Sequence, residues 1–328
     1  MTPDDSGALQ SRRQFLRRLV SSGLFAAGVS AAGWWFYDRR SATGTATAEV
    51  SLPDFRVKNE PACMSIVHGS DRLESLRRAL KALGGMERFV RPGDRVLLKV
   101  NAAFAVPPIL SATSHPDLVA GAIDLCRQAG AVAVTVADNP INDPAACFAL
   151  TGIGRAARQA GARVLLPQKR YFKPISVKDA RLIRRWPVFY RPLENIDKVI
   201  GISPVKDHHR SGASMSIKNW YGLLGGQRSI FHQDINTIIR DLGLMMRPTL
   251  VILDGTVTMV ANGPTGGSLS DLKRTDTMIV STDQVAADAY GATLLGKIAD
   301  DLPYIGMCRR AGLGTDDYRS LNPVVLSG

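Results

Sequence analysis

Strand-like and helix-like patterns alternate along most of this chain, and few architectures satisfy such an alternation. Short β-branched runs occur at Ala62–Val67, Arg95–Val100, Ala133–Ala137, Arg163–Leu166, Lys198–Ile202, Leu250–Asp254 and Thr277–Ser281. Between them lie amphipathic segments such as Arg72–Leu83, Asp117–Ala129, Gly152–Ala160 and Asp234–Met245, with Gln284–Leu295 after the last run. Strand–helix–strand alternation predicts an α/β fold: a mostly parallel or mixed sheet with helices on both faces, Rossmann-like and three-layered, following an N-terminal signal or anchor helix. Binding groups in such sheets gather at the carboxyl ends of the strands. Polar clusters stand there in this sequence: Lys99 and Asn101, Asp138 and Asn139, Ser203 to His208, and Asp254-Gly255. The aromatic, proline-containing Trp186–Pro192 stretch reads as an excursion from the core.

The first 48 residues read as an export leader. Ser11-Arg12-Arg13-Gln14-Phe15-Leu16-Arg17 precedes an apolar run, Leu19 to Tyr37, rich in Gly, Ala and Ser. Paired arginines followed by Phe-Leu and a weakly apolar segment are the address read by the twin-arginine translocase, which carries folded cargo. Ala46-Thr47-Ala48 supplies a small-x-small cleavage site, and cleavage is favoured. Residues 19–37 are also long enough to stay as a membrane tether, with Trp34, Trp35 and Tyr37 as interfacial anchors. The expected organisation is a leader or anchor over 1–48, a linker over 49–60 and one α/β domain over 61–328. The expected location is the periplasm or the outer face of the cytoplasmic membrane.

Of the net charge of +12 on 328 residues, the leader carries +3. Part of the rest forms one basic stretch, Lys169, Arg170, Lys173, Lys178, Arg181, Arg184 and Arg185, interleaved with Tyr171, Phe172 and Trp186. It reads as a solvated face, and without an RNA- or DNA-binding signature nucleic acid is not an expected partner. The four cysteines, Cys63, Cys126, Cys147 and Cys308, include no C-x-x-C, so no iron–sulfur cluster is expected from this chain alone. Cys126 sits in an apolar helical pattern and reads as a small buried hydrophobe. A nucleophile elbow, G-x-S-x-G, is missing, which disfavours acyl transfer.

Cations, imidazoles, hydroxyls and glycines concentrate between Pro204 and Asp241. Glycines at Gly222, Gly225 and Gly226 would let backbone N–H groups approach an anion, and Lys206, Lys218 and Arg228 would neutralise it. Ordinary loop chemistry accounts for the same glycines. Lys99, Asn101 and Asn219 complete the candidate ligand-binding set. His115 or His208 would move a proton, with Asp254 orienting it; the candidate catalytic residues are therefore His115, His208 and Asp254. His208, His232 and Asp254 form a candidate set for a divalent metal, although no H-x-x-x-H or H-E-x-x-H pairs two ligands on one helix. Ser114 reads as a helix cap and His115 as the less explained neighbour; Asp283 reads as a second cap and Asp288 as facing inward.

Taken in order, Lys99-Val-Asn101, Ser114-His-Pro116, the block from Lys206-x-His208 through Ser216-Ile-Lys218-Asn219-x-Tyr-Gly222 to Arg228 and His232, Asp254-Gly255 with Gly263-Pro264 and Gly267, and Asp283-x-Val-Ala-x-Asp288-Ala resemble the "domain of unknown function 362" family over roughly residues 60–300. The resemblance implies an α/β domain, often behind a twin-arginine leader and in some members joined to a ferredoxin-type segment. This sequence lacks that cysteine-rich run, so electron transfer would need a redox partner protein. The family brings no established activity. The expected function is an extracytoplasmic, enzyme-like protein that binds a small anionic ligand, with or without a metal, at the strand ends. The alternative is a non-catalytic accessory or docking subunit of an exported iron–sulfur or redox system, using the basic stretch as its docking face.

Overall fold

Each strand-like run read from the sequence lies in one eight-stranded sheet, and three of them extend well beyond their apolar pattern. The computed structural model describes residues 52–327. The segments expected to act as leader, cleavage site and tether, all within residues 1–48, fall outside the described residues. The strands are β1 (Met64–His68), β2 (Arg95–Lys99), β3 (Ala133–Ala137), β4 (Arg163–Leu165), β5 (Phe172–Ile175), β6 (Trp186–Phe189), β7 (Lys198–Lys206), β8 (Leu250–Met259), β9 (Leu272–Ser281) and β10 (Val324–Ser327). The large sheet runs β10-β1-β9-β8-β7-β2-β3-β4, and β5 pairs with β6 in a separate hairpin. Only β9 is antiparallel to its neighbours, so the sheet is mixed, with one reversed strand in an otherwise parallel array.

Period-two alternation divides the apolar side chains between two cores. Leu97, Val251, Leu253 and Ile279 face one core; Val96, Leu98, Ile252 and Val280 face the other. Helices α1 (Arg72–Ala82), α2 (Pro116–Gln128), α3 (Pro144–Leu150) and α4 (Ile153–Gln159) cover the second face. Helices α5 (Ser216–Asn219), α6 (Ile235–Met245), α7 (Gln284–Leu294) and α8 (Pro303–Arg310) cover the first. Among the described residues no helix is long and apolar enough to cross a membrane.

Differences from the sequence reading have local causes. Pro204 and Asp254-Gly255 look like strand ends, but register shifts at Pro204/Lys206 and Gly255/Val257 absorb them and the ladder continues. Lys206 consequently ends a nine-residue strand instead of sitting in a loop. The Trp186–Pro192 excursion is half of the β5–β6 hairpin, where Phe172 stacks on Phe189 at 5.3 Å. The turn of that hairpin is held by Asp241, whose carboxylate accepts the N–H groups of Arg181 (2.8 Å) and Leu182 (2.6 Å). Its cations Lys169, Arg170, Lys178, Arg181, Arg184 and Arg185 are exposed.

Helix capping is also reassigned. His115, not Ser114, is the N-cap of α2, its Nδ1 accepting the Asp117 N–H at 3.4 Å. Ser114 instead ties two strand ends together, accepting from the Asn101 N–H and donating to the Ile202 carbonyl, both at 2.8 Å. Asp283 caps α7 as the sequence indicates, and Asp288 is fully buried one turn later.

Candidate functional site

At the carboxyl ends of β2, β3 and β7 the chain gathers four cations, three buried and one half-buried, around one carboxylate. Lys99 ends β2, Asp138 follows β3 and Lys206 ends β7, while α5 supplies Lys218 and Asn219 and the turn after Gly226 supplies Arg228. All of these but Lys99, which lies behind Asp138, line a cavity of about 70 Å³ together with Asn101, Phe104, His208, Tyr221, Gly222 and His232. That is room for roughly five water molecules or one small guest.

Counting donors separates framework from free chemistry. The Lys99 ammonium has three N–H groups and three acceptors: Asp138 Oδ1 (2.8 Å), the Val100 carbonyl (2.6 Å) and Asn219 Oδ1 (3.0 Å). Asn219 is equally engaged, its amide donating to the carbonyls of Lys99 and Ile202. Arg228 gives Nη1 to the Tyr221 and Leu224 carbonyls and Nη2 to those of Asn139 and Pro140, all within 3.1 Å. Lys99 and Asn219, read from the sequence as ligand-binding, are therefore engaged in holding the rim, and Arg228 spends four of its five N–H groups in the same way. Asp138 is engaged as well, accepting from Lys99, from the Ala102 N–H (2.7 Å) and from the Asn139 N–H (3.0 Å).

Lys206 and Lys218 are different. Lys206 is 1% exposed, lies 5.1 Å from the Phe104 ring centre and has one acceptor, the Ala112 carbonyl. Lys218 is 9% exposed and, among the described residues, meets no acceptor; its closest partner is the face of Tyr221 at 5.3 Å. Neither has a carboxylate of its own. Burial, followed by the neighbouring Lys218, pulls the Lys206 ammonium down to about 7, and burial followed by Arg228 pulls Lys218 down to about 8. The Asn101 amide lines the same cavity, and only its Oδ1 is occupied, accepting weakly from the Ala103 N–H at 3.4 Å.

The two imidazoles in the cavity hold opposite tautomers. His208 Nδ1 accepts backbone N–H groups from Arg210 (3.2 Å) and Ser211 (3.3 Å), which leaves its proton on Nε2. His232 Nδ1 faces the Ser229 carbonyl at 3.2 Å and must donate, which leaves Nε2 with a free lone pair. The rings stack 6.1 Å apart. Burial, with Lys218 and the other histidines next, drives His208 down to about 2, and burial and Lys218 also lower His232. His208 thus presents a neutral N–H donor and His232 a neutral acceptor.

Gly222 is required by contact, not by backbone twist. A Cβ there would meet Asp138 Oδ1 and, at 2.8 Å, Lys99 Nζ. Gly225 likewise packs on the Phe172 ring and Gly226 adopts φ of 60°, so these glycines serve close packing and a turn. Gly222→Ala is expected to cost about 1–3 kcal/mol, as overpacking does, read as a lowered melting temperature. An unchanged midpoint would mean that the ion pair shifts aside without penalty.

The remaining site residues read from the sequence are not in this cavity. Asp254 shares its sheet face with Ile252 and the α1–α4 layer, whereas Lys99 shares the opposite face with Leu97. Its carboxylate accepts from Arg72 Nε and from the Thr256 N–H, each at 2.9 Å, and His115 feels both Arg72 and Asp254. His115 and Asp254 therefore form a cluster separate from His208. The metal set His208, His232 and Asp254 is not assembled, because its carboxylate lies across the sheet in an ion pair. Among the described residues no three His, Cys, Asp or Glu side chains stand together as metal ligands do. Tyr221 and Phe104 line the cavity although the sequence does not single them out as site residues, and Asp138 reads from the sequence as a strand-end polar residue but not as part of the candidate site. Asp138-Asn139 stands just past a strand, as Lys99 stands at the end of one, and that was the available signal.

A larger groove of about 360 Å³ lies at the opposite, amino ends of β2–β4. Its arginines, Arg95, Arg163 and Arg191, are exposed, whereas the smaller cavity holds the buried cations.

Fold and site define an α/β protein with an electropositive cavity at the carboxyl rim of a mixed sheet. Residues 96–293 match the family described as "Domain of unknown function (DUF362)", and the chain belongs to it. It is 27% identical over 254 residues to the "Thylakoid-associated protein sll1697" of Synechocystis sp., covering 74% of this chain and 75% of that protein. Among solved structures it is similar to the lactate racemase apoprotein from Thermoanaerobacterium thermosaccharolyticum, with a TM-score of 0.40 and 12% identity over 76% of this chain. The match spans 60% of the racemase chain.

Proposed function

We infer that the cavity binds a small anion of carboxylate or phosphate type and that the protein acts on it by proton transfer. One observation carries this reading: Lys206 and Lys218 are buried side by side without a carboxylate, and desolvating two ammonium groups is costly unless an anion joins them. Lys218, Lys206 and the Asn101 amide supply donors, and His208 Nε2–H adds a neutral one. His232 Nε2 is the group placed to accept a proton from the bound guest. The run Ser11–Arg17 supports action outside the cytoplasm, after export in the folded state.

Titration calorimetry of the folded protein with acetate, phosphate and sulfate tests the reading, alongside mass spectrometry of small molecules that co-purify. Saturable binding to the wild type is expected, and Lys218→Met is expected to weaken it roughly 10- to 100-fold, the effect of a charge-assisted hydrogen bond. A wild type that binds none of the three anions would refute the assignment. A second reading, docking to an acidic redox partner, is favoured by the exposed cations of the β5–β6 hairpin. It requires binding that survives Lys218→Met and is lost when Arg181, Arg184 and Arg185 are neutralised together.

A further inference from the structure

Lys218 has the surroundings of a nucleophilic amine. It lines the cavity, meets no hydrogen-bond acceptor among the described residues and lies beside two other cations, Lys206 and Arg228. A lysine that only clips backbone or pairs with a carboxylate looks like Lys99, whose three N–H groups are all engaged. An amine desolvated beside other cations keeps its lone pair available near neutral pH, and its shift down to about 8 is consistent with that geometry.

Resting on the anion-site reading above, we propose that Lys218 forms a Schiff base with a small 2-oxo acid whose carboxylate is held by Lys206 and Asn101. The Lys218 nitrogen forms a bond to the carbonyl carbon as the C=O π bond opens. The carbinolamine oxygen then leaves as water, carrying the two hydrogens lost by nitrogen. Two neighbours relay these protons: His232 Nε2 takes one from the adduct nitrogen while the Lys206 ammonium gives one to the alkoxide, making the carbinolamine. The His232 imidazolium then passes its proton to the departing hydroxyl and Lys206 recovers one from the iminium nitrogen, so both hydrogens end in water and both side chains return to their starting forms. Amine and ketone become imine and water, with no oxidant or reductant consumed. The Phe104 ring and the face of Tyr221 flank the two lysines and limit the guest to a few heavy atoms. A 2-oxo acid satisfies the inventory better than a simple carboxylate, because only it uses both the anion donors and the unengaged nitrogen.

The test is reductive trapping. The wild-type protein is incubated with pyruvate and sodium cyanoborohydride, digested and mapped by mass spectrometry, with exposed Lys169 and Lys178 as internal references. N-(1-carboxyethyl)lysine is expected at Lys218 in at least tenfold excess over either reference, is expected to fall when sulfate competes for the cavity, and is expected to vanish in Lys218→Arg. Labelling of Lys218 no greater than that of the references would overturn the proposal. If calorimetry still shows pyruvate binding in that case, only the covalent step fails. If pyruvate, acetate and sulfate all fail to bind, the anion site fails with it.

Discussion

Asp138→Ala is expected to be the most damaging single change in the described structure, lowering stability by about 3–5 kcal/mol, because it leaves a buried lysine without its counter-charge. Lys99 is fully buried and Asp138 is 2% exposed, at 2.8 Å from each other. Without the carboxylate Lys99 keeps only the Val100 carbonyl and Asn219 Oδ1, and the Ala102 N–H loses its acceptor, while the Asn139 N–H keeps the Gly222 carbonyl. Chemical denaturation of Asp138→Ala, Lys99→Met and the double variant measures the coupling. The double variant should recover a large part of the loss, since two apolar side chains replace a pair that must otherwise be desolvated. Additive losses would show that Asp138 acts through its backbone partners and not through Lys99.

The second large effect concerns pH. Free in the cavity, Lys206 and Lys218 hold their protons only up to about 7 and about 8. A bound anion favours the charged amines, so binding raises both values and takes up protons. Affinity should therefore be constant below pH 6, where both are already ammonium, and fall as pH rises through 7 and 8, by roughly tenfold per unit for each ammonium that must be charged. Calorimetry in two buffers of different ionisation enthalpy would register proton uptake on binding near pH 8. Stability without anion has the opposite sign. The unfolded chain retains lysine protons up to its ordinary range, so the unfolded state binds more protons between about 7 and 10 and these two lysines make the fold more stable as pH rises there. Affinity that is flat from pH 6 to 9 would show ordinary lysines with protein partners.

Much of the architecture follows from sequence periodicity, because period two and period 3.6 are imposed by burial and both were strong here. The limits appear where side chains act against local pattern. Pro204 and Asp254-Gly255 carry every mark of a strand end, yet bulges let β7 and β8 run on, a long-range pairing that no local window contains. β5, β6 and β10 are short, the first two forming a separate hairpin and the third lying at the sheet edge, so apolar alternation is weak in them. For the site, strand-end polarity located Lys99, Lys206 and Asp254 alike, but it could not show that Asp254 faces the other layer, since a bulge-free count is needed to assign faces. Residue type identified the cations; only the donor count separates Arg228, closed on four carbonyls, from Lys218, closed on none. His232 entered as a metal ligand and emerges as the open lone pair because Ser229 fixes its tautomer, a contact created by the turn itself.

The central claim, that Lys206 and Lys218 form an anion cradle, is tested most directly by soaking crystals with selenate and locating selenium by its anomalous signal. A peak inside the cavity, within hydrogen-bonding distance of Lys218 Nζ and absent in Lys218→Met crystals, is the expected result. Selenium confined to the exposed cations of the β5–β6 hairpin, with the cavity holding water alone, would contradict it.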